Sequence, residues 1–545
     1  MSLSNLIWNV ADDELRGLFK PHEYGSVILP FVVLRRLDCV LEPYKDVAFK
    51  LYQEYKGKLD DPSPIIKKEI NLPFYNTSKY DLSRLKSDPQ NIQINFDNYI
   101  QGYSDNVFDI IENFDLKKVV DKLNKKNILY KLIDKFTEVD LHPDKLSNHE
   151  MGGVYEELLR RFSEMSNEES GDHYTPRDIV QLLVSIVFEG DRKRLQSEGK
   201  KIRSIYDSCC GTGGMLTVGK KWILENIDDS LIIDLYGQEL NDTTYAICKS
   251  DFLILGEDPE NIKGPNLSSL SRDQFEGQKF DYMIVNPPFG ISWSSDEEYI
   301  LNELEDPNGR FIDKPRISDG SFLFLQHLID KMNPSNSRIG IIFNQSPLYS
   351  GDVKSGENKI RSWIFENDLV ETIIELPDEM FFNTPIQTFI WILSNNKSQE
   401  RKNKVQLIDA TDKFQLLRKK LNYKRKEITD NFLREILAQY KDFLDSSNSR
   451  ILDIDNFKYI KVPLKTKSKK KYDKFEILPF ESSLEQTLLS LKGDVDNKKF
   501  DKLSSDNQIF GYEVNFKKYF PARTDFRDSQ LIIEELEQLG EKIDF

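Results

Sequence analysis

Along the first 165 or so residues, apolar positions recur at helical spacing within polar surroundings, as in Asp12–Leu18 and Val27–Leu41, and predict a helical N-terminal region. The polar run Ser163–Asp172 then reads as a linker or exposed loop. From there the pattern changes. Short β-rich runs at Ile202–Asp207, Leu231–Gly237, Phe280–Val285, Arg338–Phe343, Glu371–Leu376 and Thr388–Leu393 read as strands. Helical stretches such as Met215–Ile227 and Ser321–Met332 fall between them. Strand–helix alternation predicts an α/β fold with a largely parallel, doubly wound sheet, in which ligands sit outside the carboxyl ends of the strands. The remainder is mixed and partly helical, with a charged helix expected over Phe414–Tyr440, a basic run from Lys465 to Lys474 and a C-terminal helix over Ser529–Ile543. The expected division is 1–165, 166–405 and 406–545.

Composition changes this picture in one respect. Of the 545 residues 39% are hydrophobic and 30% charged, an ordinary globular balance. No run of some 18 apolar residues predicts a membrane span, and Met1–Asn5 lacks the features of a secretory signal, so a cytoplasmic protein is expected. The four cysteines, Cys39, Cys209, Cys210 and Cys248, have no disulfide-framework or zinc spacing and read as packing residues; no metal is expected. The formal net charge is −16. For a nucleic-acid partner that sign is unfavourable. It requires either a local basic patch on an acidic body or a partner subunit that supplies the phosphate contacts.

The chemistry begins at Asp207-Ser208-Cys209-Cys210-Gly211-Thr212-Gly213-Gly214, between a predicted strand and a predicted helix. Glycines there allow a tight turn and close approach of backbone to a ligand. No Gly-Lys-Ser/Thr follows, so this is not a phosphate loop. Asp207 at the strand end suits the cationic methionine end of a sulfonium cofactor. Glu239, ending the next strand in Gly237-Gln238-Glu239, has the place of a carboxylate that accepts from both hydroxyls of an adenosine ribose. Upstream, Gly171-Asp172-His173-Tyr174-Thr175-Pro176-Arg177 suits the methionine carboxylate, with Thr175 as N-cap and Pro176 at the first helical position.

Asn286-Pro287-Pro288-Phe289 ends the strand Phe280–Val285. An aromatic amine is a poor nucleophile because its lone pair is delocalised into the ring. The Asn286 side-chain oxygen and the Pro287 carbonyl would accept its two hydrogens and favour a tetrahedral nitrogen. Consecutive prolines, Pro287 and Pro288, hold the loop extended. Phe289 would stack on a base taken out of a duplex, offsetting roughly 1–3 kcal/mol of unstacking. No covalent cysteine or strong base is required. The same loop type also serves methylation of cytosine's amino group or of a glutamine amide in protein, and a scaffold that kept the fold without activity is a further alternative.

With these residues assembled, the chain resembles the γ-order amino-methyltransferases. More narrowly it resembles the modification (M) subunit of type I restriction–modification systems. The resemblance extends to Leu6-Ile7-Trp8-Asn9, Tyr24-Gly25 and Leu34-Arg35-Arg36-Leu37, to Gly309-Arg310-Phe311, Ser318-Asp319-Gly320-Ser321-Phe322, Leu376-Pro377 and Phe381-Phe382, and to Gly511–Phe516 with Tyr519-Phe520. It implies a Rossmann-like S-adenosylmethionine methyltransferase domain acting on the exocyclic N6 amino group of adenine in double-stranded DNA. S-Adenosyl-L-methionine contacts fall at Asp172, His173, Tyr174, Thr175, Pro176, Arg177, Asp207, Gly211, Thr212, Gly213, Gly214 and Glu239, and catalysis at Asn286, Pro287, Pro288 and Phe289. The contact to the cofactor adenine is assigned to Asn266, with Asp251 as the alternative. A specificity (S) subunit, clasped by two M subunits, would choose the DNA site, which accounts for the acidic charge; whether a restriction (R) subunit joins them is open. The C-terminal helix is the expected docking element for S.

Overall fold

The computed structural model describes residues 3–166, 175–197, 202–382, 384–464, 474–480, 484–489, 495–496, 500 and 509–520. Its centre is a nine-stranded sheet ordered β11-β8-β6-β7-β5-β4-β1-β2-β3. The strands are β1 (Ile202–Asp207), β2 (Ile232–Gln238), β3 (Ile262–Lys263), β4 (Tyr282–Val285), β5 (Arg338–Asn344), β6 (Val370–Glu375), β7 (Thr388–Ser394), β8 (Lys404–Asp409) and β11 (Ser449–Asp453). Pairing is parallel except for β7, antiparallel to β5 and β6, and β11, antiparallel to β8. All four residues of β4 and the first six of β5 are buried, as a sheet covered on both faces requires.

Helices Arg177–Glu189, Gly214–Asn226, Asp242–Leu255 and Asp430–Asp442 cover one face. The other packs against helices Ser321–Asp330 and Gly356–Glu366 and the segment from Tyr512 to Phe520. Strand order reverses between β1 and β4, which opens a crevice at the carboxyl ends of β1, β2 and β4.

The N-terminal region is helical as expected, with its own core from Ile7 to Phe162. Helix Asp242–Leu255 is shared. Its Tyr245, Cys248 and Phe252 face the sheet core, while Ala246, Ile247 and Leu253 join the N-terminal core. The buried guanidinium groups of helix Tyr24–Leu41 hold the chain that leads to helix Asn148–Ser166. Arg35 donates to the Val139 carbonyl at 2.7 Å and Arg36 to that of Leu141 at 2.6 Å.

Three expectations are corrected. The stretch Phe414–Tyr440 is not one helix: a hairpin of β9 (Gln415–Leu421) and β10 (Lys424–Glu427) precedes helix Asp430–Asp442. Main-chain contacts override the local helical preference there, since the Tyr423 N–H donates to Phe382 O at 3.1 Å and that of Arg425 to Glu379 O at 2.9 Å. Ser163 to Ser166 continue helix Asn148–Ser166 rather than begin a linker. The N-cap of helix Arg177–Glu189 is Pro176, not Thr175, whose hydroxyl is used elsewhere. The basic run 465–473 and the helix expected at 529–543 lie outside the described residues. Beyond β11 a three-stranded sheet is formed by β12 (Lys458–Leu464), β13 (Lys474–Pro479) and β14 (Phe510–Tyr512).

Candidate active site

At the end of β1 the chain turns over the glycine loop into helix Gly214–Asn226. Gly211 and Gly213 take φ of +54° and +80°, and a Cβ on Gly213 would stand 2.8 Å from Cys248 Sγ, so glycine is required there on both counts. Asp207 is buried and accepts the Cys209 N–H at 2.9 Å. Burial, with Glu239 nearby adding to it, pushes its carboxyl up to about 8. Burial also pushes the Cys209 thiol well above its ordinary range, and Cys210, bonded to Cys248, is raised likewise, so both are packing groups and not thiolate nucleophiles.

Glu239 follows β2 and ties two elements together. Oε2 accepts the Gly211 N–H at 2.8 Å and Oε1 that of Asn241 at 2.8 Å. A carboxylate oxygen can accept more than one hydrogen bond. After β4, the Asn286 Nδ2 donates to Thr175 Oγ1 at 2.8 Å, which joins the Asn-Pro-Pro-Phe loop to the residue two before helix Arg177–Glu189.

These residues surround a cavity of about 310 Å³. Of the expected set, Thr175, Arg177, Asp207, Gly211, Thr212, Gly214, Glu239, Asn286 and Pro288 line it. Pro176, Gly213, Pro287 and Phe289 sit behind that lining, and Asp172, His173 and Tyr174 lie outside the described residues. Phe289 is buried against Phe381, edge to face at 5.9 Å, and supports the loop from behind instead of presenting a stacking surface. Asn266 does not line the cavity. It is exposed at φ +61° and bonds Asp242 at 2.8 Å, so it serves the turn. The alternative, Asp251, is buried in helix Asp242–Leu255 and also stands away from the lining.

Residues not anticipated complete the wall. Glu156, from helix Asn148–Ser166, pairs with Arg177 at 3.1 Å, and burial pushes its carboxyl up against the pull of that guanidinium. Trp293 donates from Nε1 to the Arg316 carbonyl at 2.9 Å and packs with Leu270 and Phe311. Arg310 holds the wall segment from outside, donating to Ser269 O at 3.0 Å, to Leu270 O, and at 2.8 Å to His327 Nδ1. Burial keeps His327 neutral, so its Nε2 proton faces Tyr206 Oη at 3.0 Å. These contacts give the Gly309-Arg310-Phe311 motif a structural purpose. Nothing local in the sequence points to Glu156 or Trp293, which arrive from distant elements.

The lining carries Glu156, Asp207, Glu239 and Asp296 against Arg177 alone, which is already paired. An electronegative cavity with two strand-end carboxylates and glycine-loop amides fits a cationic sulfonium nucleoside such as S-adenosylmethionine. Among the described residues no group of three His, Cys, Asp or Glu side chains is arranged to hold a metal, and no helix is long and apolar enough to cross a membrane.

Comparison with known proteins finds several type I methylase subunits and also a type II methyltransferase. The N-6 DNA Methylase family matches residues 146–472 and the HsdM N-terminal domain matches residues 3–136. The Type I restriction enzyme MjaIX methylase subunit of Methanocaldococcus jannaschii is 26% identical over 462 residues, covering 81% of this chain and 77% of that one. The HindI methylase subunit of Haemophilus influenzae is 29% identical over 295 residues, 54% of this chain and 60% of its own length. The crystal structure of a type I restriction-modification system methyltransferase subunit from Streptococcus thermophilus superposes with a TM-score of 0.63 at 23% identity, over 84% of this chain and 96% of that one, which speaks for a shared fold.

Proposed function

Because the chain belongs to the N-6 DNA Methylase family and carries the HsdM N-terminal domain, we propose that it methylates the exocyclic N6 amino group of adenine in DNA as the modification subunit of a type I restriction–modification complex. The cofactor is S-adenosylmethionine, which supplies an electrophilic methyl carbon on a cationic sulfur. The protein's own groups bind, orient and accept hydrogens. Asp207, protonated below about pH 8 in the free protein, gives up its proton as the cationic end of the ligand binds. Glu239 accepts from its ribose hydroxyls while its backbone amide contacts hold the carboxylate still. Arg177 meets the methionine carboxylate by exchanging its bond to Glu156 for one to the ligand.

The target amine is handled by the loop after β4. Asn286 Oδ1 and the Pro287 carbonyl accept its two hydrogens and withdraw the lone pair from conjugation with the ring. The observation that carries this reading is the place of Asn286 in the cavity wall, with its Nδ2 tied to Thr175 Oγ1 at 2.8 Å, an arrangement in which Oδ1 is the end offered to the amine. The base must leave the duplex to reach this loop. Phe289, from behind, keeps the loop in shape; stacking on the base calls for it to turn toward the cavity.

In the same proposal 1–165 is a helical unit and the methyltransferase unit begins at 166, its sheet running past the expected boundary at 405 through β8 and β11, so that 406–545 is not a separate unit from its first residue. The chain works in the cytoplasm and reaches its DNA site through a specificity subunit held by two copies of it. Product analysis tests the reading. Labelled methyl recovered as N6-methyladenine, dependent on the specificity subunit, supports it; label on cytosine or on protein redirects it.

A further inference from the structure

A chain of net charge −16 that acts on DNA must place cations where the phosphates run, and among the described residues one segment concentrates them. Residues 413–427 hold seven basic side chains against the single acid Glu427. They form the β9–β10 hairpin, a two-stranded ribbon outside the nine-stranded sheet, closed by a turn at Asn422-Tyr423 with Asn422 at φ +54°. A two-stranded ribbon has marginal stability by itself in water, so its position depends on anchors at its base.

Those anchors are specific and lie beside the active site. Lys424 is buried and donates to both oxygens of Asp178 at 3.1 Å, and to Met380 O at 3.1 Å. Asp178 also accepts the Ile428 N–H at 2.9 Å. It lies in the first turn of helix Arg177–Glu189, next to the cavity-lining Arg177 and three residues past the Thr175 that holds Asn286. Lys426 pairs with Asp378, and the Tyr423 and Arg425 amides bond Phe382 and Glu379, in the segment whose Phe381 packs on Phe289. Four of the seven cations are thus matched by acids: Lys413 with Glu435, Lys424 with Asp178, Arg425 with Glu379 and Lys426 with Asp378. Arg418, Lys419 and Lys420 are exposed and make no ion pair among the described residues. Leu416 and Tyr423 beside them are also exposed, at 65% and 44%.

We propose that this hairpin is a DNA-backbone contact of the chain itself, with Arg418, Lys419 and Lys420 gripping phosphates that flank the target base and Tyr423 packing on the sugar–phosphate edge. Three consecutive cations without an acidic neighbour, on a ribbon bolted to the catalytic end, fit a polyanion. An acidic protein partner would leave the link to the Asn286 loop without purpose. The inference rests on the DNA reading above and adds to it that the recognition partner does not supply all of the phosphate contact.

The test uses the full chain in complex with its specificity subunit, as wild type, as R418A/K419A/K420A, and as the charge-keeping R418K/K419R/K420R. Affinity for a labelled duplex is measured from about 50 to about 200 mM salt. The alanine triple should flatten the dependence of log affinity on log salt by about 2–3, at about 0.9 for each phosphate no longer neutralised. It should raise the KM for DNA about tenfold or more, while melting temperature and cofactor affinity stay at wild-type values; the charge-keeping triple should behave as wild type. An unchanged salt slope overturns the proposal, and so does loss of co-purification with the specificity subunit, which would make the hairpin a protein-docking element. A wild-type complex that binds cofactor yet methylates no DNA removes the underlying reading, an outcome separate from either of these.

Discussion

Asn286 and Thr175 stand 111 positions apart in the chain, and the side-chain amide of the first donates to the hydroxyl of the second at 2.8 Å. The loop after β4 is therefore fastened to the N-terminal end of helix Arg177–Glu189, next to the Arg177–Glu156 pair. Cofactor wall and catalytic loop share one fixed point.

Removing that point should cost rate. Thr175→Val deletes the acceptor at nearly constant volume, and loss of one such bond is worth about 0.5–1.5 kcal/mol. Turnover should fall about three- to tenfold, by more than any loss in cofactor affinity, and Thr175→Ser should restore most of it. Steady-state kcat measured beside cofactor Kd checks this.

Glu239→Gln leaves one acceptor oxygen where two served the Gly211 and Asn241 amides. One amide then loses a charge-assisted partner and the ligand loses its anionic acceptor. Cofactor affinity should drop about ten- to a hundredfold, at roughly 1.5–3 kcal/mol for hydrogen bonds to a charged group. Calorimetric titration with S-adenosylmethionine reads this directly.

Asp207 gives a pH dependence with a definite sign. Its folded carboxyl is raised to about 8, so between its unfolded value near 4 and pH 8 the folded chain binds a proton that the unfolded chain does not. Its contribution to stability without cofactor is fully present below the unfolded value and is lost as pH rises toward 8. Cofactor affinity runs the other way, because a cation binds the ionised form. Affinity should rise from pH 6 to 8, and Asp207→Asn should flatten that rise while abolishing the matching decline in melting temperature.

The six strands expected from apolar runs are all present, because strands buried on both faces, five of them parallel and β7 antiparallel, are written as nearly continuous hydrophobic sequence. The strand-end positions of Asp207, Glu239 and Asn286 were legible for the same reason, since each follows or closes such a run and lines the cavity. The β9–β10 hairpin was not, since lysine, arginine and leucine are good helix formers and tertiary contacts with residues 378–382 and Asp178 decide otherwise. Asn266 misled because asparagine near a cofactor loop suggests a ligand contact, whereas here it accommodates a positive φ. Glu156 and Trp293 join the cavity only through tertiary packing, which no local spacing encodes.

Arg310 illustrates a residue that acts at one remove. Arg310→Lys cannot reach the Ser269 and Leu270 carbonyls, Glu303 and His327 together. The wall at 268–270 should loosen, raising the cofactor KM about tenfold with kcat changed much less, at roughly 1.4 kcal/mol for the missing charged hydrogen bonds. Initial-rate kinetics over cofactor concentration separates the two parameters.

Whether Asn286 handles the amine of adenine is tested most directly by single-turnover transfer of labelled methyl to DNA. The complex is used, with Asn286→Ala beside wild type, and the product base is identified. The expected result is N6-methyladenine from the wild type and a loss of about 10²–10³-fold in the variant, with cofactor still bound. An undiminished rate in Asn286→Ala, or label on any base other than adenine, would contradict that role.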